Sequence, residues 1–383
     1  MTGSNDKLAI AVLAKSFCRT GGMERYAVEV VRRLLARGHR VDLYGREMDA
    51  DLLPGARFVE VSRRFGFSSV ASALAFAREA ARLLRGRRYD VVHSHERGYC
   101  QDVLTVHCFS HRCGLQKYRG LRRIDQLYLS PRNALYLWLE RRQMRSPWLV
   151  AVSESIRDDI RCHYGRVEQV AVIPPGVDTE WFQPAWVAEN RLRARQVVGC
   201  TSEREMVVLF VGSEFRRKGL DGLVAAIGDN MRLVVVGAGE RLDHYRRLVR
   251  EAGLGDRVHF AGLVTDVRQY YAAADVVVLP SLSEAFGMSV LEGMACGIPA
   301  IVTANAGVAA LIDQGRNGLV VQSATELKDA LAAACAADPD RRRQMGERAR
   351  QTALDYSWDA VAQAYEELFY QVAANKDAGG QPR

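Results

Sequence analysis

The chain has no apolar run approaching the roughly 18 residues that a membrane-spanning helix requires, so no such helix is expected. Its eight cysteines never take CxxC spacing, and a chain of 383 residues needs no disulfide staples, so a reduced, cytosolic compartment is expected. Eight histidines without metal-ligand spacing make no case for a metal. The sequence GxxxxGK followed by Ser or Thr is missing, which argues against a P-loop ATPase. The opening MTGSNDKLAIAVLAKSF has a single basic residue, Lys7, ahead of a short apolar run from Leu8 to Ala14. It reads as a buried first strand rather than a signal peptide.

What is present is the composition of a soluble globular protein, 48% apolar and 26% charged. The length fits two domains better than one core. A net charge of +8 points to an anionic partner: nucleotide, phospholipid, phosphorylated glycan or nucleic acid.

Short β-branched runs alternate with amphipathic patterns. KLAIAVLA, RVDLYG, ARFVEVS, DVVHSH and LVAVS read as strands, with ERYAVEVVRRLLARG and VASALAFAREAARLLRG as helices between them. That alternation predicts an α/β fold with a doubly wound parallel sheet. VIPPGVDTEWFQP, residues 172–184, is too rich in proline for a helix or central strand and marks a linker. The pattern then restarts with MVVLFVG, RLVVVGAG, RVHFAG, DVVVLP and PAIVT. The expected organisation is an N-terminal domain over 1–173, a C-terminal domain over 174–355, an amphipathic helix over 356–374 and a disordered tail over 375–383.

Two segments carry candidate chemistry. In GSEFRRKGLDG, residues 212–222, Arg216, Arg217 and Lys218 lie between a glycine turn and a helix start, which suits a diphosphate. Alone, the segment would read as a solvated basic turn. RLVVVGAGE offers only GxG after its strand, too little for a dinucleotide site. In SEAFGMSVLE, residues 283–292, Glu284 falls in a loop after a strand and Glu292 one turn into the next helix, with Phe286, Gly287 and Met288 between them. A carboxylate accepts hydrogen bonds from vicinal hydroxyls, and backbone amides suit a phosphate. The same pair in isolation would be a helix cap and an exposed acid.

Glu-x7-Glu continuing as GMACGIPAIVT, together with VIPPGVDTEWFQP, FRRKGL and Gly21-Gly22, resembles glycosyltransferase family 4, the retaining GT-B enzymes. The resemblance spans roughly residues 8–370. Within the family, GSEFRRKGLDG and IPPG look most like the lipopolysaccharide core heptose α-1,3-glucosyltransferase subgroup. The resemblance implies two Rossmann-like domains facing a cleft, with a C-terminal helix packing back toward the N-domain. It implies that Arg217 and Lys218 bind the donor diphosphate, Glu284 the donor hexose and Glu292 the ribose. Phe286, Gly287 and Met288 would meet sugar and phosphate, and Gly21 and Gly22 would approach the donor. His107 would stand near the transferred sugar as a catalytic-site residue, with Asp102 as a second candidate in the same loop. The reaction implied is metal-independent transfer of a hexose, glucose from a UDP-sugar by preference or mannose from GDP-mannose, to a glycan or glycolipid. No cofactor is implied, since the nucleotide sugar is a substrate.

The region Arg112–Arg145 sets nine basic residues against Asp125 and Glu140, with Tyr118, Tyr128, Tyr136 and Trp138 interleaved. Lys117, Arg119, Arg122, Arg123 and Trp138 are the candidates for facing an anionic membrane or the acceptor. Peripheral attachment to the inner face of the cytoplasmic membrane is the expectation. A solvated helix face, or a wall greeting a phosphorylated acceptor, would account for the same residues. Asp49–Asp51 and Asp338–Asp340 resemble metal-binding Asp-x-Asp triplets and are expected to be solvent-facing turns. Rival functions are a nucleotide-sugar epimerase, a sugar-nucleotide sensor and a nucleic-acid-binding protein; the last leaves the two glutamates unexplained, and no nucleic acid is expected as partner.

Overall fold

The computed structural model describes residues 7–19, 21–62, 69–115, 130–200, 202 and 204–378. It divides into two compact units: one runs to Pro175 and resumes at Trp358, and the other is Gly176–Ser357.

The first unit holds a parallel sheet built from β1 (Ala9–Leu13), β3 (Arg40–Gly45), β5 (Arg57–Glu60), β6 (Val91–Ser94), β7 (Val103–Val106), β8 (Trp148–Ala151) and β9 (Val170–Val172). Their order is β5-β3-β1-β6-β7-β8-β9. Two short strands, β2 (Ser16–Phe17) and β4 (Glu47–Met48), pair beside it. β7 is apolar and buried at nearly every position, as a strand covered on both faces must be. Helix Gly22–Ala36 buries Tyr26, Val30 and Leu34, spaced four apart on one face. Helix Glu154–Tyr164 begins where Ser153 Oγ accepts from the Ile156 amide and ends at left-handed Gly165.

The second unit repeats the plan with β10 (Met206–Val211), β11 (Met231–Val236), β12 (Val258–Gly262), β13 (Val276–Leu279), β14 (Ala300–Thr303) and β15 (Gly318–Val321), all parallel. The order is β12-β11-β10-β13-β14-β15. Both sheets are wound outward from the middle in two directions. Each therefore has a switch point, between β1 and β6 and between β10 and β13, where the loops at the carboxyl ends diverge and leave a crevice.

Helix Trp358–Ala378 belongs to the first unit. Trp358 is fully buried with its ring edge-on to Tyr26. Tyr365 Oη lies 3.0 Å from Tyr26 Oη and 2.7 Å from Thr105 Oγ1, and Glu366 pairs with Arg37 and His39. The expected disordered tail over 375–383 is corrected in its first part. The helix continues through Ala378, because Lys376 bonds the Asp90 carbonyl at 3.1 Å and pairs with Asp102. Residues 379–383 lie outside the described residues.

Candidate functional site

In the second unit, the loop after β10 and the loop after β13 flank the switch point. Phe215, buried against Phe210 and Tyr245, anchors the first loop. Gly237 and Gly239 leave the room it needs, since a Cβ there would stand 2.3 Å from the Gly212 carbonyl oxygen and 2.2 Å from the Phe215 ring. The GxG after β11 therefore serves packing of the neighbouring loop. Gly219 closes the loop at φ +77°, and a Cβ there would fall 2.0 Å from the Pro280 carbonyl oxygen. Only glycine fits.

The two loops are joined at Arg217: the Leu282 amide donates to its carbonyl at 2.9 Å, and its side-chain Nη1 donates to the Ser283 carbonyl at 2.6 Å. Glu284 Oε2 accepts from Arg217 Nη1 at 3.1 Å and from Lys218 Nζ at 2.7 Å. The Glu284 amide and carbonyl are in turn bonded to Asn305 and Gly307. Three residues singled out in the sequence are thus gathered into one cluster.

The sequence gives no reason to single out Glu214, which takes two bonds from Arg217, the one from Nε at 2.8 Å. Those bonds hold its carboxyl below the usual range. Its signal was only its position three residues before Arg217.

Gly287, at φ +112°, begins helix Met288–Ala295, while the Phe286 ring is buried in the core, so only its backbone remains for a ligand. Glu292 is buried rather than an exposed helical acid, and accepts from Tyr271 Oη at 2.9 Å. The same hydroxyl lies 2.8 Å from the Ser289 carbonyl oxygen, so Tyr271 braces the helix on which Glu292 stands.

In the first unit, Gly21 at φ +97° and Gly22 open helix Gly22–Ala36. His107 follows the carboxyl end of β7, and its Nε2 lies 2.8 Å from His95 Nδ1. His93 Nε2 lies 2.8 Å from Thr105 Oγ1. Burial holds the His107 imidazole down at about 3, and burial with His107 nearby does the same for His93. The group is therefore neutral at pH 7, a hydrogen-bonding platform and not a cation.

Asp102 is corrected. It precedes β7, so a whole strand separates it from His107, and the shared loop read from the sequence does not exist. Its carboxylate accepts from the Val92 amide at 2.7 Å and pairs with Lys376, a structural role.

At the switch point of this unit, Lys15 and Glu96 form an ion pair of 2.8 Å with Glu96 buried. Both were missed, because the residues come from loops far apart in the chain.

Trp138 stands half exposed on helix Pro131–Gln143, with Arg142 over its ring. Arg97 and Arg132 lie over Tyr136. Glu140 is buried, so one of the region's two acids is withdrawn from the surface. Lys117, Arg119, Arg122 and Arg123 lie outside the described residues. Both Asp-x-Asp triplets sit at helix starts: Asp49 precedes the turn Ala50–Leu52, and Asp338 caps Pro339–Leu354. No helix among the described residues is long and apolar enough to cross a membrane.

A family model described as Glycosyltransferase Family 4 matches residues 20–181, and one described as Glycosyl transferases group 1 matches residues 197–352. A D-inositol 3-phosphate glycosyltransferase of Geodermatophilus obscurus is 32% identical over 92% of this chain and 86% of its own length. One from Kribbella flavida is 30% identical over 90% of this chain and 89% of its own. Among solved structures, WaaG, a glycosyltransferase involved in lipopolysaccharide biosynthesis, superposes with a TM-score of 0.80 at 24% identity over 94% of this chain and 99% of its own. Anabaena HepE in complex with UDP and glucose gives 0.72 at 18% identity over 95% and 99%.

Proposed function

The chain belongs to glycosyltransferase family 4, and from that premise we propose that it moves a hexose from a nucleotide diphosphate sugar to a glycan or glycolipid acceptor, with retention of the α configuration. UDP-glucose is the preferred donor, and GDP-mannose the alternative. The observation that carries the reading is the convergence of Arg217, Lys218 and Glu284 at the switch point of the second unit. Two cations there suit a departing diphosphate, and stabilising that leaving group without protonating it is the main electrostatic demand of glycosyl transfer. Glu284 beside them suits hexose hydroxyls, and buried Glu292 suits ribose hydroxyls.

The relatives named for inositol phosphate and the structural neighbour from lipopolysaccharide synthesis favour two acceptor classes: a phosphorylated polyol and a lipopolysaccharide core. A chain of net charge +8 suits either. Incubation with UDP- and GDP-sugars, with and without each acceptor, tests the reading. Acceptor-dependent nucleotide release without added Mg²⁺ or Mn²⁺, giving an α-linked product, is expected. Donor turnover without acceptor would instead mark an epimerase, and binding without turnover a sensor.

Docking to anionic lipid belongs to the same proposal. Half-exposed Trp138 under Arg142, with Arg132 and Arg141 on the same helix, is the kind of surface that rests on headgroups at about 1 kcal/mol per basic residue. Co-sedimentation with anionic vesicles should weaken when Arg119, Arg122 and Arg123 are neutralised; unchanged binding removes the docking proposal and leaves the transferase reading intact.

A further inference from the structure

Helix His111–Leu115 and helix Glu154–Tyr164 meet in the first unit at a group of side chains that glycosyl transfer does not use. Asp159 and His163 are four residues apart on the second helix and so share one face. His163 Nε2 stands 3.5 Å from Asp159 Oδ1. Cys113 comes from the other helix, and one ligand atom from each of Cys113, Asp159 and His163 lies within 4.8 Å of the others.

The group is already held in place. Asp159, which is buried, accepts from the Ser110 amide at 2.8 Å and the Ser110 hydroxyl at 3.2 Å. That same hydroxyl accepts from the Cys113 amide at 3.0 Å. Buried Glu140 takes the His111 amide at 2.7 Å and fixes the start of the short helix. Outer bonds of this kind orient ligands before a metal arrives.

We propose that Cys113, Asp159 and His163 bind one Zn²⁺, with water as the fourth ligand. A thiolate, an imidazole and a carboxylate form the mixed S, N, O set that zinc accepts, whereas Mg²⁺ and Ca²⁺ favour oxygen alone. Zinc bonds of about 2.0–2.3 Å put tetrahedral ligand atoms about 3.3–3.8 Å apart. Binding would draw the three ligand atoms, which now lie within 4.8 Å of one another, to that spacing. The ion would clip the short helix that follows β7 and His107 onto helix Glu154–Tyr164, a structural role independent of the transferase reading.

The test uses the full chain, stripped with chelator and titrated with Co²⁺ and then Zn²⁺. One Co²⁺ per chain should bind with ligand-field bands of tetrahedral intensity and a thiolate-to-cobalt charge-transfer band, and one equivalent of Zn²⁺ should bleach both. Cys113→Ser should abolish the charge-transfer band, and His163→Gln should weaken Zn²⁺ binding at least about tenfold. Cys162→Ser, on the neighbouring exposed thiol, should change neither. A wild-type chain without the charge-transfer band, or a band that survives Cys113→Ser, overturns the site. Should Cys113→Ser misfold, alkylation of the wild-type chain decides: Zn²⁺ must slow modification of Cys113 and not of Cys162, and equal rates overturn the proposal.

Discussion

Lys218 Nζ lies 2.7 Å from Glu284 Oε2, so the cation proposed for the diphosphate and the acid proposed for the hexose neutralise each other across the β10–β13 switch point. A phosphate that approaches Lys218 must compete with that carboxylate. Glu284→Gln should therefore raise affinity for UDP alone by roughly threefold to tenfold, the scale of one ion pair of about 1 kcal/mol. It should lower the rate of hexose transfer by about 10²-fold, the cost of one misplaced group at the reacting sugar. Calorimetry with UDP and a steady-state transfer assay read the two effects separately. Equal loss of both would mean that Glu284 only holds the loop.

Lys218→Ala and Glu292→Ala should each weaken binding of the nucleotide sugar by roughly tenfold to 100-fold, the range for a charged hydrogen-bond partner. Tyr271→Phe, which removes the hydroxyl that touches Glu292 and the Ser289 carbonyl and leaves the carboxylate in place, should cost less than Glu292→Ala. Full donor affinity in calorimetry for either alanine variant would remove the donor site from this crevice.

Gly219→Ala should destabilise the second unit by at least about 2 kcal/mol, because the positive φ strains any L side chain and the new Cβ meets a backbone carbonyl that cannot swing away. The check is a shift in the urea midpoint. An unchanged midpoint would show that the β13 loop yields easily.

Burial holds the His93 imidazole at about 3 and the His95 imidazole well below its usual value. In the unfolded chain both titrate near 6.5. Between these values the unfolded chain binds more protons, so stability rises with pH. For His93 the contribution is complete above about pH 6.5 and is lost as pH falls toward 3, at about 1.4 kcal/mol per pH unit, and His95 acts in the same direction. Urea midpoints between pH 7 and pH 5 should fall accordingly, and His93→Gln should flatten the slope. A slope unchanged by that substitution would mean that other groups carry the acid lability.

Strand and helix alternation made the two sheets legible, because fully apolar runs such as VVVL at β13 need cover on both faces and the helices between supply it. The burial of Glu292 was not legible. MSVLEGMA has the same local pattern whether its acid faces water or Tyr271, and only the packing of helix Arg268–Ala273 decides which. The placement of Asp102 failed for a related reason: the distance from Asp102 to His107 is short along the sequence but is spanned by an extended strand.

By itself the sequence determined the local instructions: which runs are strands, which glycines turn the chain, and which loop carries Arg217 and Lys218 and which carries Glu284. Those depend on φ preferences, side-chain volume and periodicity, all carried by neighbouring residues. Tertiary structure alone decided that the two loops flank one switch point, that Lys15 finds Glu96 and that Cys113 finds His163. Such pairings depend on strand order and on how buried charge is compensated, and both are set only when distant segments pack.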